Sequence, residues 1–181
     1  MSSSTAPPVL LVDGYNIIGA WSELKSLRDR DLEAARDRLI NILINYTASK
    51  GYQTQVVFDA HFQTTPKFYE TPTQYLSVYY TAYGETADTY IEKCCASNSR
   101  QGKVVRQRLI VATSDRAQQL TVSGYGAEWR SARQLENDVN FAKRKTRRKQ
   151  RSRQKSQGRF LVNALDPKAQ KQLSKLRHGS L

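Results

Sequence analysis

Three short, almost wholly apolar runs, Val9-Leu-Leu-Val12, Gln55-Val-Val-Phe58 and Leu109-Ile-Val-Ala112, constrain the fold of this chain more than anything else in it. A strand with one wet face alternates apolar and polar residues, whereas unbroken runs suit strands buried on both faces of a parallel sheet. Each run also leads into an acid: Asp13 closes the first, Asp59 the second, and Thr113-Ser-Asp115 follows the third. Between the first two, Leu32, Ala35, Leu39, Ile42, Leu43 and Tyr46 recur at helical spacing, which predicts a helix over 31–50 that stops at Gly51. Parallel neighbours need crossovers of this kind, and such crossovers are right-handed. The pattern therefore predicts an α/β fold, a mostly parallel sheet with helices on both faces. Ligands of such sheets sit outside the carboxyl ends of the strands.

The remaining segments fit that scheme. Residues 61–74, with Pro66, Pro72 and the cluster Lys67-Phe68-Tyr69, read as an irregular loop, and residues 76–82 as a strand broken by Gly84. Helices are expected over 86–99, from Ala87, Ile91 and Cys94/Cys95, and from Asp115 to about Val122, with a last short strand near 127–129. Ser131 and Gln134 form a capping box for a terminal helix whose apolar stripe, Leu135, Val139 and Ala142, stops at Lys143. From there to Arg159 no large apolar residue occurs, so the stretch cannot bury a face of its own. Phe160 to Leu165 is a short apolar patch, and Asp166-Pro167 signals a small helix bearing Ala169, Leu173 and Leu176. The expected organisation is a frayed tail over 1–8, one α/β domain over 9–142 and a basic extension over 143–181.

Charge marks the same division. The chain carries 29 Lys and Arg against 16 Asp and Glu, a net charge of +13. Residues 1–141 are balanced at 15 of each, whereas residues 142–181 hold 14 basic side chains and the single acid Asp166. This excludes a uniformly cationic packing protein and describes a neutral body with a cationic appendage that meets a polyanion. Ten of the charges, Lys143, Arg144, Lys145, Arg147, Arg148, Lys149, Arg151, Arg153, Lys155 and Arg159, form a run without an acid. Phosphate contacts of this kind give salt-dependent affinity without sequence information, and RNA, either mRNA or rRNA, is the expected partner. An anionic membrane surface would call for an amphipathic apolar face, which the run lacks, and no apolar stretch nears the roughly 18 residues that span a bilayer. The Ser/Thr/Pro-rich start resembles neither a secretory signal nor an Arg-rich transit peptide. Two adjacent cysteines, Cys94 and Cys95, supply neither a disulfide framework nor a paired zinc site, so a reducing cytoplasm is expected.

With only His61 and His178 in the chain, the chemistry falls to carboxylates. A doubly wound sheet brings Asp13, Asp59 and Asp115 to one edge with Glu85 and Asp88, which open the next helix and, being three apart, are expected to share its face. Converging carboxylates repel one another and are driven toward protonation unless a cation neutralises them. Oxygen-only ligands select Mg²⁺ or Mn²⁺, and such a site hydrolyses phosphodiesters without a protein nucleophile. The plainer alternative makes each acid a helix cap or a solvated charge. His61 suits either a proton donor or a hydrogen-bonded structural role. Tyr15 and Lys67, Phe68 and Tyr69 suit either base stacking and phosphate contact or loop packing. Gly14 lets backbone approach the site closely.

The motifs Asp13-Gly-Tyr-Asn16, Phe58-Asp-Ala-His61, Glu85-Thr-Ala-Asp88 and Thr113-Ser-Asp115 resemble, in order, those of the YacP-like NYN domain, a branch of the PIN-like nucleases. The resemblance covers about residues 9–142. It implies a PIN-like three-layer α/β/α fold and a metal-dependent nuclease site, in a family whose bacterial members include a ribosome-associated endoribonuclease that cuts mRNA. Carried over by position, it implies Asp13, Asp88 and Asp115 as metal-binding acids, Asp59 and Glu85 as supporting ligands, and Asn16 as the group orienting Asp13 or the attacking water. The expected activity is cleavage of single-stranded RNA with Mg²⁺ or Mn²⁺. An RNA- or ribosome-binding factor with vestigial acids is the alternative. A DNA-processing 5′-nuclease is disfavoured because the chain has no room for the extra helical elements of that group.

Overall fold

A computed structural model describes residues 6–59, 68–101 and 107–163, with side chains as far as Ser152. The apolar runs become the middle of a six-stranded sheet built from β1 (Val9–Asp13), β2 (Gln53–Phe58), β3 (Phe68–Thr73), β4 (Leu76–Tyr80), β5 (Leu109–Ala112) and β6 (Glu128–Arg130). The helices are α1 (Gly14–Ala20), α2 (Ser22–Arg28), α3 (Leu32–Lys50), α4 (Ala87–Arg100), α5 (Arg116–Gly124) and α6 (Ala132–Asn163). Strand order is β3-β4-β2-β1-β5-β6, and every pairing is parallel except β3 with β4. The fold is thus the mixed α/β arrangement that the unbroken apolar runs imply.

Both faces of the central strands are buried, which is why they do not alternate. Leu11, Val57, Leu109 and Val111 pack against Ala87, Ile91 and Cys95 of α4 and Val122 of α5. The intervening Leu10, Val12, Val56, Phe58 and Ile110 are equally buried on the other face, where α1 packs on β1 and β2, and α3 on β2 and β4. Each such Leu, Ile, Val or Phe contributes about 1.5–3 kcal/mol of burial. Helix α3 starts where Asp31 accepts a hydrogen bond from the Ala34 amide and ends where Gly51 adopts φ 67°.

Three features differ from the sequence expectations. Part of the stretch read as a loop over 61–74 is β3, an edge strand whose residues are almost all exposed, so it shows no apolar pattern to read. It accommodates Pro72 at a register shift between Glu70 and Thr73, a position an edge strand tolerates. Two one- to two-turn helices, α1 and α2, occupy residues 14–28, too short to display a period. The terminal helix continues through the basic run to Asn163. The chain divides after Asn140 into two compact units. In the second, Lys143, Arg144, Lys145, Arg147, Arg148, Lys149 and Arg151 are all exposed on helix. The small helix expected after Asp166 lies outside the described residues, and among those described no helix is long and apolar enough to cross a membrane.

Two glycines of α1 separate cleanly. A Cβ at Gly14 would run into the Phe58 ring, whereas at Gly19 the nearest atom would be 3.6 Å away. Gly14→Ala is expected to destabilise the protein by about 1–3 kcal/mol through overpacking. Gly19→Ala is expected to be neutral or to stabilise by about 0.5–1 kcal/mol. Urea denaturation of both variants checks the pair.

Candidate active site

The carboxylates are positioned by helix starts. Asp13 ends β1 and caps α1, its Oδ1 accepting the Asn16 N–H at 3.1 Å. Asp59 follows β2 and accepts the Ala87 N–H of α4. Asp115 follows β5 and caps α5, accepting the Ala117 and Gln118 N–H groups at 2.7 and 3.0 Å. Each anion gains about 0.3–1 kcal/mol from the helix N-terminus it meets. The cap and the convergent-acid readings are therefore the same residues seen twice. Asp88, in the first turn of α4, is instead held by Gln118, whose Nε2 donates to its Oδ1 at 2.6 Å.

Asn16 joins two of these turns. Its backbone N–H orients Asp13, and its side-chain Oδ1 accepts the Ser114 N–H at 2.7 Å. The Thr113–Asp115 turn is fixed from three further sides. Trp129 Nε1 donates to the Thr113 carbonyl at 2.8 Å, Thr113 Oγ1 accepts the Asp115 N–H at 3.1 Å, and Ser114 Oγ accepts the Ala132 N–H at 3.0 Å.

The electrostatics report the convergence. Asp13 is only 8% exposed, and burial, opposed by the Asn16 hydrogen bond and reinforced by Asp88, Asp59 and Asp115, pushes its carboxyl up to about 7. Asp88 is likewise raised, by burial first and then by Asp115, Asp59 and Glu92, with Gln118 opposing. Among the described residues the leading charges acting on both are all negative. Among the described residues no three His, Cys, Asp or Glu side chains form a ready-made cage for an ion, so the expected trio Asp13, Asp88 and Asp115 is gathered but not closed. In each of the three, Oδ1 is committed to the hydrogen bonds just described and Oδ2 lies outside them. An all-oxygen, all-anionic donor set of this openness fits a hydrated hard cation contacting one or two carboxylates directly.

Glu85 departs from expectation. Helix α4 begins at Ala87 with Thr86 as its cap, so Glu85 precedes the helix and does not share a face with Asp88. Its carboxylate pairs with Lys93 at 2.8 Å and accepts the Tyr79 hydroxyl at 3.2 Å, and Lys93 holds it below the ordinary range. It is not among the leading charges acting on Asp13 and Asp88. Tyr69 is exposed on β3, paired with Tyr79 on the sheet face opposite Phe68. His61 and Lys67 lie outside the described residues, and of Arg153 only the backbone is described.

Gln118 has no role in the sequence motifs. It is 2% exposed, and its Oε1 is buried without a hydrogen-bond partner among the described residues. Asp115-x-x-Gln118 has the spacing of a capping box, a signal that marks the helix start. Here Thr113 takes the reciprocal role and frees Gln118 to reach Asp88.

A mostly parallel α/β sheet with aspartates gathered at its carboxyl edge is the arrangement that the PIN-like resemblance leads one to expect. The YacP-like NYN domain family matches residues 10–178, and the chain belongs to that family. The match runs through the basic extension, beyond the 9–142 expected from the motifs. The chain is 37% identical over 175 residues to the uncharacterized protein YacP of Bacillus subtilis, covering 96% of this chain and 98% of that protein. The crystal structure of Rae1 (YacP) from Bacillus subtilis superposes with a TM-score of 0.67 at 34% identity, covering 94% of this chain and 95% of that one. A point-mutant form of Rae1 gives a TM-score of 0.68 at 32% identity, covering 93% and 99%.

The raised carboxyl of Asp13 makes stability depend on pH. Between about 4 and 7 the folded chain retains a proton that the unfolded chain has released, so stability falls as pH rises through that window. In chelator-treated protein the loss is expected to be on the order of 2–4 kcal/mol. Asp13→Asn should flatten the profile, as measured by denaturation across the pH series.

Proposed function

We propose that this protein is a metal-dependent endoribonuclease of single-stranded RNA, acting on mRNA at the ribosome. The observation that carries the reading is the mutual repulsion of Asp13, Asp59, Asp88 and Asp115 at one sheet edge, where among the described residues the leading charges acting on Asp13 and Asp88 are all negative. Asp13, Asp88 and Asp115 would hold Mg²⁺ or Mn²⁺, with Asp59 supporting. An ion held there would supply neutralisation of the phosphodiester and acidification of the attacking water. The chain's own groups provide alignment. The Asn16 N–H fixes Asp13, its amide oxygen fixes the turn carrying Asp115, Gln118 fixes Asp88, and the α4 amide fixes Asp59. Membership of a nuclease-type family supports the reaction class. The exposed cations of α6 support RNA as the polyanion, and the family resemblance supports the ribosome.

Cleavage of single-stranded RNA with Mg²⁺ or Mn²⁺ tests the reading. Asp13→Asn and Asp88→Asn should each lower the rate more than about 100-fold, and Gln118→Ala about 10–100-fold, the range for partners that orient ligands. Full activity in the two Asp variants leaves an RNA-binding factor in its place. Replacing Arg147, Arg148 and Lys149 by Gln should weaken RNA binding and reduce the salt slope by about 0.7 for each phosphate no longer neutralised, as read by titration at several salt concentrations.

A further inference from the structure

On the α3 side of the same sheet edge, a row of rings runs across three strands. Phe68 and Phe58 each pair in register with Tyr80, so the three side chains share one face. Ring centroids are 6.1 Å apart from Phe68 to Tyr80, 5.6 Å from Tyr80 to Phe58 and 5.0 Å from Phe58 to Tyr15. The outer end is open, Phe68 being 52% exposed, while Phe58 is fully buried and anchors the row. The inner end reaches the carboxylates through consecutive residues: Asp13 precedes Gly14 and Tyr15, and Asp59 follows Phe58. Tyr15 feels the charges of both Asp59 and Arg36.

Arg36, early in α3, lies over the Tyr80 ring at 5.9 Å. Among the described residues its Nε is buried without a hydrogen-bond partner and no carboxylate pairs with it. A guanidinium with unspent donors beside a graded row of rings matches what single-stranded nucleic acid requires, a cation for the backbone and π-faces for the bases.

We propose that Phe68, Tyr80, Tyr15 and Arg36 form a subsite that seats single-stranded RNA beside the carboxylates. Phe68 and Tyr15 stack bases, Tyr80 props the guanidinium, and Arg36 contacts a backbone phosphate. The proposal rests on the endoribonuclease reading, and it specifies where the substrate strand enters.

The test uses the full chain and a non-cleavable 2′-O-methyl oligoribonucleotide, with cleavage of the ordinary RNA measured in parallel. Phe68→Ala should weaken binding roughly 5- to 100-fold, the range for removing one base stack, and raise KM more than it lowers kcat. Arg36→Gln should weaken binding and reduce the salt slope by about 0.7, while Arg36→Lys keeps the slope and recovers part of the affinity. Phe68→Ala, at an exposed edge, decides the matter if Arg36→Gln fails to fold. Parent-like binding by both Phe68→Ala and Arg36→Gln overturns the subsite whether or not the protein cleaves RNA. Binding that responds to these variants in a protein that cleaves nothing keeps the subsite and removes the nuclease reading.

Discussion

The level ends of three parallel strands govern this structure. Val12 pairs with Val56 on one side and Ala112 on the other, so β1, β2 and β5 finish side by side. The first amides of α1, α4 and α5 face the same edge. Those amides call for acceptors, and Asp13, Asp59 and Asp115 supply them. A demand local to each helix thereby becomes a concentration of charge.

That concentration is held against its own repulsion. Burial and neighbouring acids make the charged states of Asp13 and Asp88 unfavourable, while the Asn16 amide opposes the effect at Asp13 and the Gln118 amide opposes it at Asp88. Sites that keep such unfavourable groups trade stability for activity, and stability regained there tends to be lost as function. The basic segment of α6 has the complementary sign, with seven exposed Lys and Arg side chains between Lys143 and Arg151 and no acid among them.

How much of this is legible in the sequence follows from the physics of each element. The strands β1, β2 and β5 are readable because double-sided burial leaves unbroken apolar runs, and their closing aspartates fix the edge. Strand β3 is not, because an exposed edge strand carries no burial pattern and Pro72 points to a loop. Glu85 escapes correct placement because a three-residue spacing implies a shared face only inside a helix, and Thr86 sets the start after it. Arg36 is invisible as a site residue, since it falls within an amphipathic helix as one of many polar positions. Gln118 carries a capping signal, but the sequence does not show that Thr113 relieves it of that task.

Asn16 has a consequence of its own. One residue sets two coordinates, the direction of Asp13 through its backbone and the position of the β5 turn through its side chain. The second contact requires an acceptor, and aspartate would provide one of the same length. It would also add another negative charge to a sheet edge already crowded with them. The amide is the side chain of that reach that accepts without charge, so residue 16 works as an insulated strut between two charged walls.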